Sequence, residues 1–345
     1  MSESESAQTV LVTGGSGYIG SWCVVELLRR GYTVRTTVRD LSREPRAREA
    51  IATLGHAGDR LTFFAANLTS DAGWDEAVAG ADFVLHVASP LGVPEPKDPD
   101  VLIVPARDGA LRVIAASIKA GVKRVVMTSS VAATSPPSSA KGDTVSDETV
   151  WSDGEEVAIG PYARSKTIAE RAAWDLIGSS GRDTTLATVN PALVLGPVLS
   201  GDFSDSVQVV QRLMSGKVPG IPRLGFNIVD VRDVADLHIR CMTTPEAAGQ
   251  RFIAANEFAW MADIAATLRA NLGAEAAKVP TRSAPDILLR LVALFDRDLG
   301  SVVPSLGRKH DFTSAKAREV LGWTPRPLND TVLDCAKSLI AAGAV

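Results

Sequence analysis

Apolar and polar positions along the chain alternate between two periods. Short runs rich in β-branched residues occur at 9–13 (TVLVT), 33–38 (TVRTTV), 61–66 (LTFFAA), 83–88 (FVLHVA), 124–129 (RVVMTS) and 185–190 (TLATVN). Between them, apolar residues recur at helical spacing near 18–30, 44–54, 72–79, 100–120 and 160–178. Strands that alternate with helices in this way predict repeated βαβ units, hence an α/β fold with a doubly wound parallel sheet of the Rossmann kind. Ligands of such sheets lie across the carboxyl ends of the strands, so functional residues are expected just after each strand.

Beyond Asn190 the pattern loosens. Pro and Gly recur at Pro191, Gly196, Pro197, Gly201, Gly216, Pro219, Gly220, Pro222 and Gly225, followed by mixed short elements. The expected organisation is a dinucleotide-binding domain over 8–190, to which some later segments return, and a smaller C-terminal domain over 191–345 that mainly binds substrate.

Composition narrows the function. Of 345 residues, 46% are hydrophobic and 22% charged, enough apolar surface for a packed core. A net charge of −4 supplies no basic surface for nucleic acid or anionic membrane, so a small dissolved substrate is expected. Cys23, Cys241 and Cys335 form no CxxC pair and the four histidines show no ligand spacing, which predicts neither disulfide framework nor metal. The start MSESESAQ lacks a signal-peptide pattern, and ILLRLVALF at 287–295 is too short to span a bilayer. A reduced, cytoplasmic enzyme, monomer or homodimer, is the expectation.

The segment VLVTGGSGYIGSW places Gly14, Gly17 and Gly20 between a strand and a helix, with Ser16, Tyr18 and Ile19 among them. Glycines there let pyrophosphate oxygens approach the amides of the helix N-terminus, whose dipole favours negative charge. The second strand ends in Val38-Arg39-Asp40. A cation at that end pairs with a 2′-phosphate, whereas an acid accepts from ribose hydroxyls. Arg39, helped by Arg43 or Arg46, predicts NADPH/NADP+; Asp40 is the competing reading.

Tyr162 and Lys166 stand four apart in PYARSKTIAE and so share a helix face. An ammonium beside a phenol stabilises phenolate and lowers a pKa that starts near 10, which suits proton exchange with a carbonyl or alcohol. The lysine can also hold the nicotinamide ribose. Ser129 and Ser130 close the strand VVMTSS, where a hydroxyl can stabilise charge developing on a substrate oxygen.

Taken with HVASP, NPALVLGP and IVDVRDVADLHI, these motifs identify a chain that resembles the extended short-chain dehydrogenases/reductases over nearly its whole length. Within them it is similar to the branch of dihydroflavonol 4-reductases, cinnamoyl-CoA reductases and microbial aldehyde/ketone reductases. The resemblance implies Ser130 as the catalytic serine, Tyr162 as general acid and Lys166 as its electrostatic and ribose partner. It places Asn67-Leu68, where the family usually has Asp-Leu, beside adenine. Val87, Ala88, Ser89 and Thr128 would line the dinucleotide, and Pro191 with Leu193 would bracket the nicotinamide. Ser135 stands where plant dihydroflavonol reductases carry a substrate-binding asparagine, which argues against a flavonoid. Val131-Ala132 stands where nucleotide-sugar dehydratases carry Asp-Glu, which argues against elimination.

Leu91, Val93, Ala132, Leu199, Phe203 and Phe226 are the expected substrate walls, apolar enough to favour a hydrophobic carbonyl. His86 reads as a core histidine, and the six tryptophans as packing residues. The expected reaction is hydride transfer from NADPH to an aldehyde or ketone. The same residues serve the reverse oxidation of a hydroxysteroid-type alcohol. A nucleotide-sugar epimerase and a non-catalytic NADPH sensor are the rivals.

Overall fold

The computed structural model describes residues 8–54, 58–90, 98–199, 204–217, 220–292 and 303–345. Its strands are β1 (Thr9–Thr13), β2 (Thr33–Val38), β3 (Leu61–Ala65), β4 (Phe83–His86), β5 (Arg124–Thr128), β6 (Thr144–Ser146), β7 (Thr185–Pro191), β8 (Leu193–Leu195), β9 (Gly225–Asp230), β10 (Gln250–Ala254), β11 (Phe258–Trp260) and β12 (His310–Phe312). The helices used below are α1 (Tyr18–Arg29), α2 (Glu44–Ala52), α3 (Trp74–Val78), α4 (Asp100–Lys119), α5 (Gly160–Ser179), α6 (Gln208–Met214), α7 (Val231–Thr243) and α8 (Met261–Leu272).

Seven strands form one sheet in the order β10-β7-β5-β4-β1-β2-β3, and every neighbouring pair is parallel. The β-branched runs stand in its interior, where both faces are covered and near-continuous apolar strands are required. Leu11, Val84, Val125 and Leu186 face a layer drawn from α3, α4 and α5. Val10, Val12, Leu85 and Val126 face the layer of α1, α2 and α7. The chain winds outward from β1 through β2 to β3, then crosses to β4 and winds the other way. That reversal leaves a crevice between the carboxyl ends of β1 and β4, the expected ligand position.

Two later segments return to this sheet: β10 adds its seventh strand beside β7, and α7 packs on α1 and β7. The other late elements build a second buried cluster. There Leu195, Ile228 and Ala259, from the small sheet β11-β9-β8, pack with Val210 and Leu213 of α6, Ile264 and Leu268 of α8 and the C-terminal helix Leu328–Ala341. The pair β12-β6 completes the strands. Among the described residues no helix is long and apolar enough to cross a membrane.

Candidate active site

The crevice begins at the loop after β1. Gly14 adopts φ +72° with Ala88 across the crevice, close enough that a Cβ on Gly14 would lie 3.1 Å from it. A Cβ on Gly20 would meet the Gly14 carbonyl oxygen at 2.3 Å, so this glycine lets helix α1 seat against the loop. Gly15 is equally constrained, with Thr36 Oγ1 2.0 Å from where its Cβ would be. The glycine spacing alone does not single Gly15 out, because its contact is with the next strand. The loop is pinned from β2: the Gly14 amide donates to Thr37 Oγ1 and the Gly15 amide to the Thr37 carbonyl. Helix α1 starts at Tyr18 after the extended Gly17, so its first amides point into the crevice without helical acceptors.

The side chains around the loop divide by task. Tyr18 sends its hydroxyl away to the Gly196 carbonyl at 2.8 Å and Ile19 packs against the core, so neither side chain is free for a phosphate. Thr13 Oγ1 bonds His86 Nδ1 and accepts the Ala88 amide, each at 3.0 Å, which ties β1, β4 and the strand-end segment of Val87, Ala88 and Ser89 together. Burial first, and the Lys166 charge second, push His86 down to about 3, so it is neutral and structural.

At the end of β2, Arg39 is exposed and makes no hydrogen bond or ion pair with a described residue. Asp40 instead caps the following turn, its Oδ1 accepting the Ser42 amide at 2.7 Å. That bond holds its carboxyl below the ordinary carboxylate range. Arg43 and Arg46 are exposed on the same turn and on α2. Asn67 closes the loop after β3 by accepting from the Thr69 amide and hydroxyl, and Leu68 rests on Gly109 of α4.

The two serines after β5 have different partners. Ser129 is committed inward, donating to Glu170 at 2.5 Å. Ser130 is the cap of a short 3₁₀ turn, where its Oγ accepts the Ala132 amide at 3.1 Å, and its hydroxyl is near enough to Tyr162 to lower the pKa of the phenol. The partners therefore separate the supporting serine from the one that meets the tyrosine. Thr128, one residue earlier, bonds His238 Nε2 at 2.7 Å rather than facing outward.

Tyr162 lies in the first turn of α5, with Lys166 one turn on. The sequence leads one to expect a lowered tyrosine pKa; the structure places it above 10. Surrounding protein raises it first, the nearby Ser130 hydroxyl opposes the rise, and Asp205 adds to it. Since 42% of Tyr162 is still exposed, water in the open cleft screens this effect. Lys166 is 5% exposed; burial brings it down to about 8 while Glu170 pulls upward. Its ammonium makes no hydrogen bond with a described residue, leaving it available to a ligand.

The remaining expected residues are scattered. Pro191 ends β7 and Leu193 opens β8. Leu199 packs on the sheet-side core and Phe226 on the second cluster. Leu91, Val93 and Phe203 lie outside the described residues. A cavity of about 450 Å³ beside β10, lined by Glu148, Arg251 and Lys316 among others, contains none of Ser130, Tyr162 and Lys166.

A glycine-lined crevice at the switch point of a parallel sheet, with a Ser-Tyr-Lys set beside it, defines a dinucleotide-dependent enzyme of the extended short-chain dehydrogenase/reductase class. Residues 10–255 match the model of the NAD dependent epimerase/dehydratase family, and the chain belongs to that family. It is 40% identical over 255 residues to cinnamoyl-CoA reductase CAD2 of Medicago truncatula, covering 72% of this chain and 77% of that one. It is 34% identical over 276 residues to dihydroflavonol 4-reductase of Gerbera hybrida, covering 77% and 73%. Among solved structures, yeast methylglyoxal/isovaleraldehyde reductase Gre2, complexed with NADPH, superposes with a TM-score of 0.81 at 25% identity, over 98% of this chain and 100% of that one.

Proposed function

We propose that this chain reduces a hydrophobic aldehyde or ketone to the alcohol with NADPH. One observation carries the reading: the Ser130 hydroxyl acts on Tyr162 at the mouth of the crevice, and Lys166, buried one turn along the same helix, makes no hydrogen bond with a described residue. The glycine loop and the first amides of α1 suit a pyrophosphate. The exposed Arg39, beside an Asp40 already spent on a turn, suits a 2′-phosphate. The likeness to an NADPH-bound aldehyde reductase supports the same cofactor.

Bound NADPH supplies the hydride. Tyr162 gives its proton to the carbonyl oxygen as charge gathers there, and its raised pKa keeps that proton in place beforehand. The Ser130 hydroxyl, its oxygen accepting the Ala132 amide, turns its proton to the substrate oxygen as charge develops there. Lys166, half-titrated only near 8, is charged at neutral pH; it stabilises the phenolate left behind and holds the ribose. Leu199 and Phe226, from the residues beyond 191, form with Ala132 the described part of the wall against the substrate.

The test is loss of NADPH absorbance with a panel of aryl and aliphatic aldehydes, ketones and diketones, run beside Tyr162→Phe. The variant is expected to keep cofactor affinity while kcat falls by about 10²- to 10⁴-fold, the usual worth of a general acid. Wild-type-like turnover in the variant would remove Tyr162 from the mechanism. No turnover of any carbonyl, despite tight cofactor binding, would turn the reading toward an isomerase or a sensor.

A further inference from the structure

Directly beneath the Ser130–Tyr162 pair lies a buried ionic cluster for which the reaction itself has no use. Its centre is Glu170, fully buried on α5, four residues beyond Lys166 and eight beyond Tyr162, so all three share one helix face. Glu170 Oε1 accepts from Arg251 Nε at 2.7 Å and Thr188 Oγ1 at 3.0 Å. Oε2 accepts from Ser129 Oγ at 2.5 Å and Asn190 Nδ2 at 2.9 Å. The same Asn190 amide also donates to the main-chain carbonyl of Ser130 at 3.2 Å. Donors from three neighbouring strands or strand ends thus converge on one carboxylate, and two of them hold the backbone that presents the catalytic serine.

A buried ion pair adds little net stability over a well-packed apolar pair of the same volume. A wholly structural contact would need only Arg251, whose remaining nitrogens already donate to the carbonyls of Glu148, Val150 and Ala133. The links to Ser129 and Asn190 serve the position of Ser130 instead. The charge also has an address. Facing Lys166 are Tyr162 and Glu170 on its own helix and His86 from β4, which burial keeps neutral; Arg251 from β10 lies beyond Glu170. Among the described residues Glu170 is the anion that acts on this lysine.

We propose that Glu170 is a positioning residue of the site: through Ser129 and Asn190 it fixes the main chain of Ser130, and it supplies the counter-charge for Lys166. The proposal rests on the reductase reading of Ser130, Tyr162 and Lys166.

The test reads Lys166 directly, as the pH dependence of its reductive methylation followed by mass spectrometry on the cofactor-free chain. Glu170→Gln is expected to move the midpoint from about 8 to lower pH by about one unit or more, as loss of a close opposite charge does. The basic limb of the kcat/KM profile is expected to move with it. Because Gln leaves Arg251 buried and unpaired, Glu170→Gln/Arg251→Gln, in which both charges go together, is measured alongside and is expected to show the same displacement. An unmoved midpoint in both would overturn the role of the charge. Ser129→Ala keeps the ion pair, so its Lys166 midpoint is expected to stay while kcat falls about tenfold, part of the roughly 100-fold that a misplaced catalytic group costs. An unchanged kcat there would overturn the positioning role. Failure of the reductase reading shows differently, as a wild-type chain that turns over no carbonyl while the Lys166 midpoint still responds to Glu170.

Discussion

At the scale of single residues, the proposed basis of cofactor choice is two adjacent positions at the end of β2. The sequence favours Arg39, for a phosphate, and leaves Asp40, for a ribose, as the rival reading. The structure separates them, because Asp40 accepts the Ser42 amide while the exposed Arg39 makes no hydrogen bond or ion pair with a described residue. Arg39→Ser should therefore raise the Kd of NADP+ by about 10- to 100-fold, the loss of one hydrogen bond to a charged group, and leave the Kd of NAD+ nearly unchanged. Equal weakening of both cofactors, measured by calorimetric titration, would move the phosphate contact to Arg43 or Arg46. Ser130, Tyr162 and Lys166 can be proposed from the sequence because each stands where strand or helix spacing gives its chemistry a place. Glu170 was not, since a glutamate in a helix ordinarily reads as part of a solvated face. The available signal was its register, i+4 from Lys166 and i+8 from Tyr162, which places it on the inward stripe.

At the scale of elements, helix α1 does two jobs. Its N-terminus faces the crevice, while Tyr18 Oη and Trp22 Nε1 donate to the carbonyls of Gly196 and Pro197 at 2.8 and 2.9 Å. The cofactor helix is thus clamped to the segment that leads from β8 to Leu199. Tyr18→Phe and Trp22→Phe should each destabilise the fold by about 1 kcal/mol, the net worth of one hydrogen bond, read as a lower urea midpoint at unchanged slope. Combined, they should also raise KM for substrate more than Kd for cofactor; equal effects on both would show that the clamp does not reach the substrate side. All six strands expected from the β-branched runs are present, with ends shifted by at most two residues, because an apolar run bounded by turns reports a buried strand locally. The seventh, β10, escaped. Its partner β7 lies some sixty residues earlier, and Arg251 interrupts the apolar run of QRFIA in order to serve Glu170. Topology that depends on remote pairing, and a buried charge that depends on a remote partner, leave no local trace.

At the scale of the whole molecule, acid should loosen the fold at the crevice itself. His86 and His238 are both buried, and burial pushes them down to about 3 and about 4; the Lys166 charge adds to the fall for His86, while the Val234 carbonyl opposes it for His238. The bond from His238 Nδ1 to Val234 O requires that nitrogen to donate, so Nε2 accepts from the Thr128 hydroxyl, and a second proton on the ring would break that bond. His86 likewise holds Thr13, which in turn holds the Ala88 amide. In the unfolded chain both rings titrate near 6.5, so below that pH the unfolded state binds protons that the folded state refuses. Stability is therefore fully present above about 6.5 and is lost as pH falls toward 4. With two such groups, the slope of unfolding free energy against pH should approach about 2.8 kcal/mol per unit, twice the roughly 1.4 of a single proton. Urea unfolding between pH 7 and 4.5 measures it, and His238→Gln should halve the slope. A slope the substitution leaves intact would mean that His238 takes up its proton while folded. Were the full slope observed, loss of cofactor affinity in mild acid would follow from the same two rings, because their acceptors support the ends of β4 and β5, where the crevice and Ser130 are built.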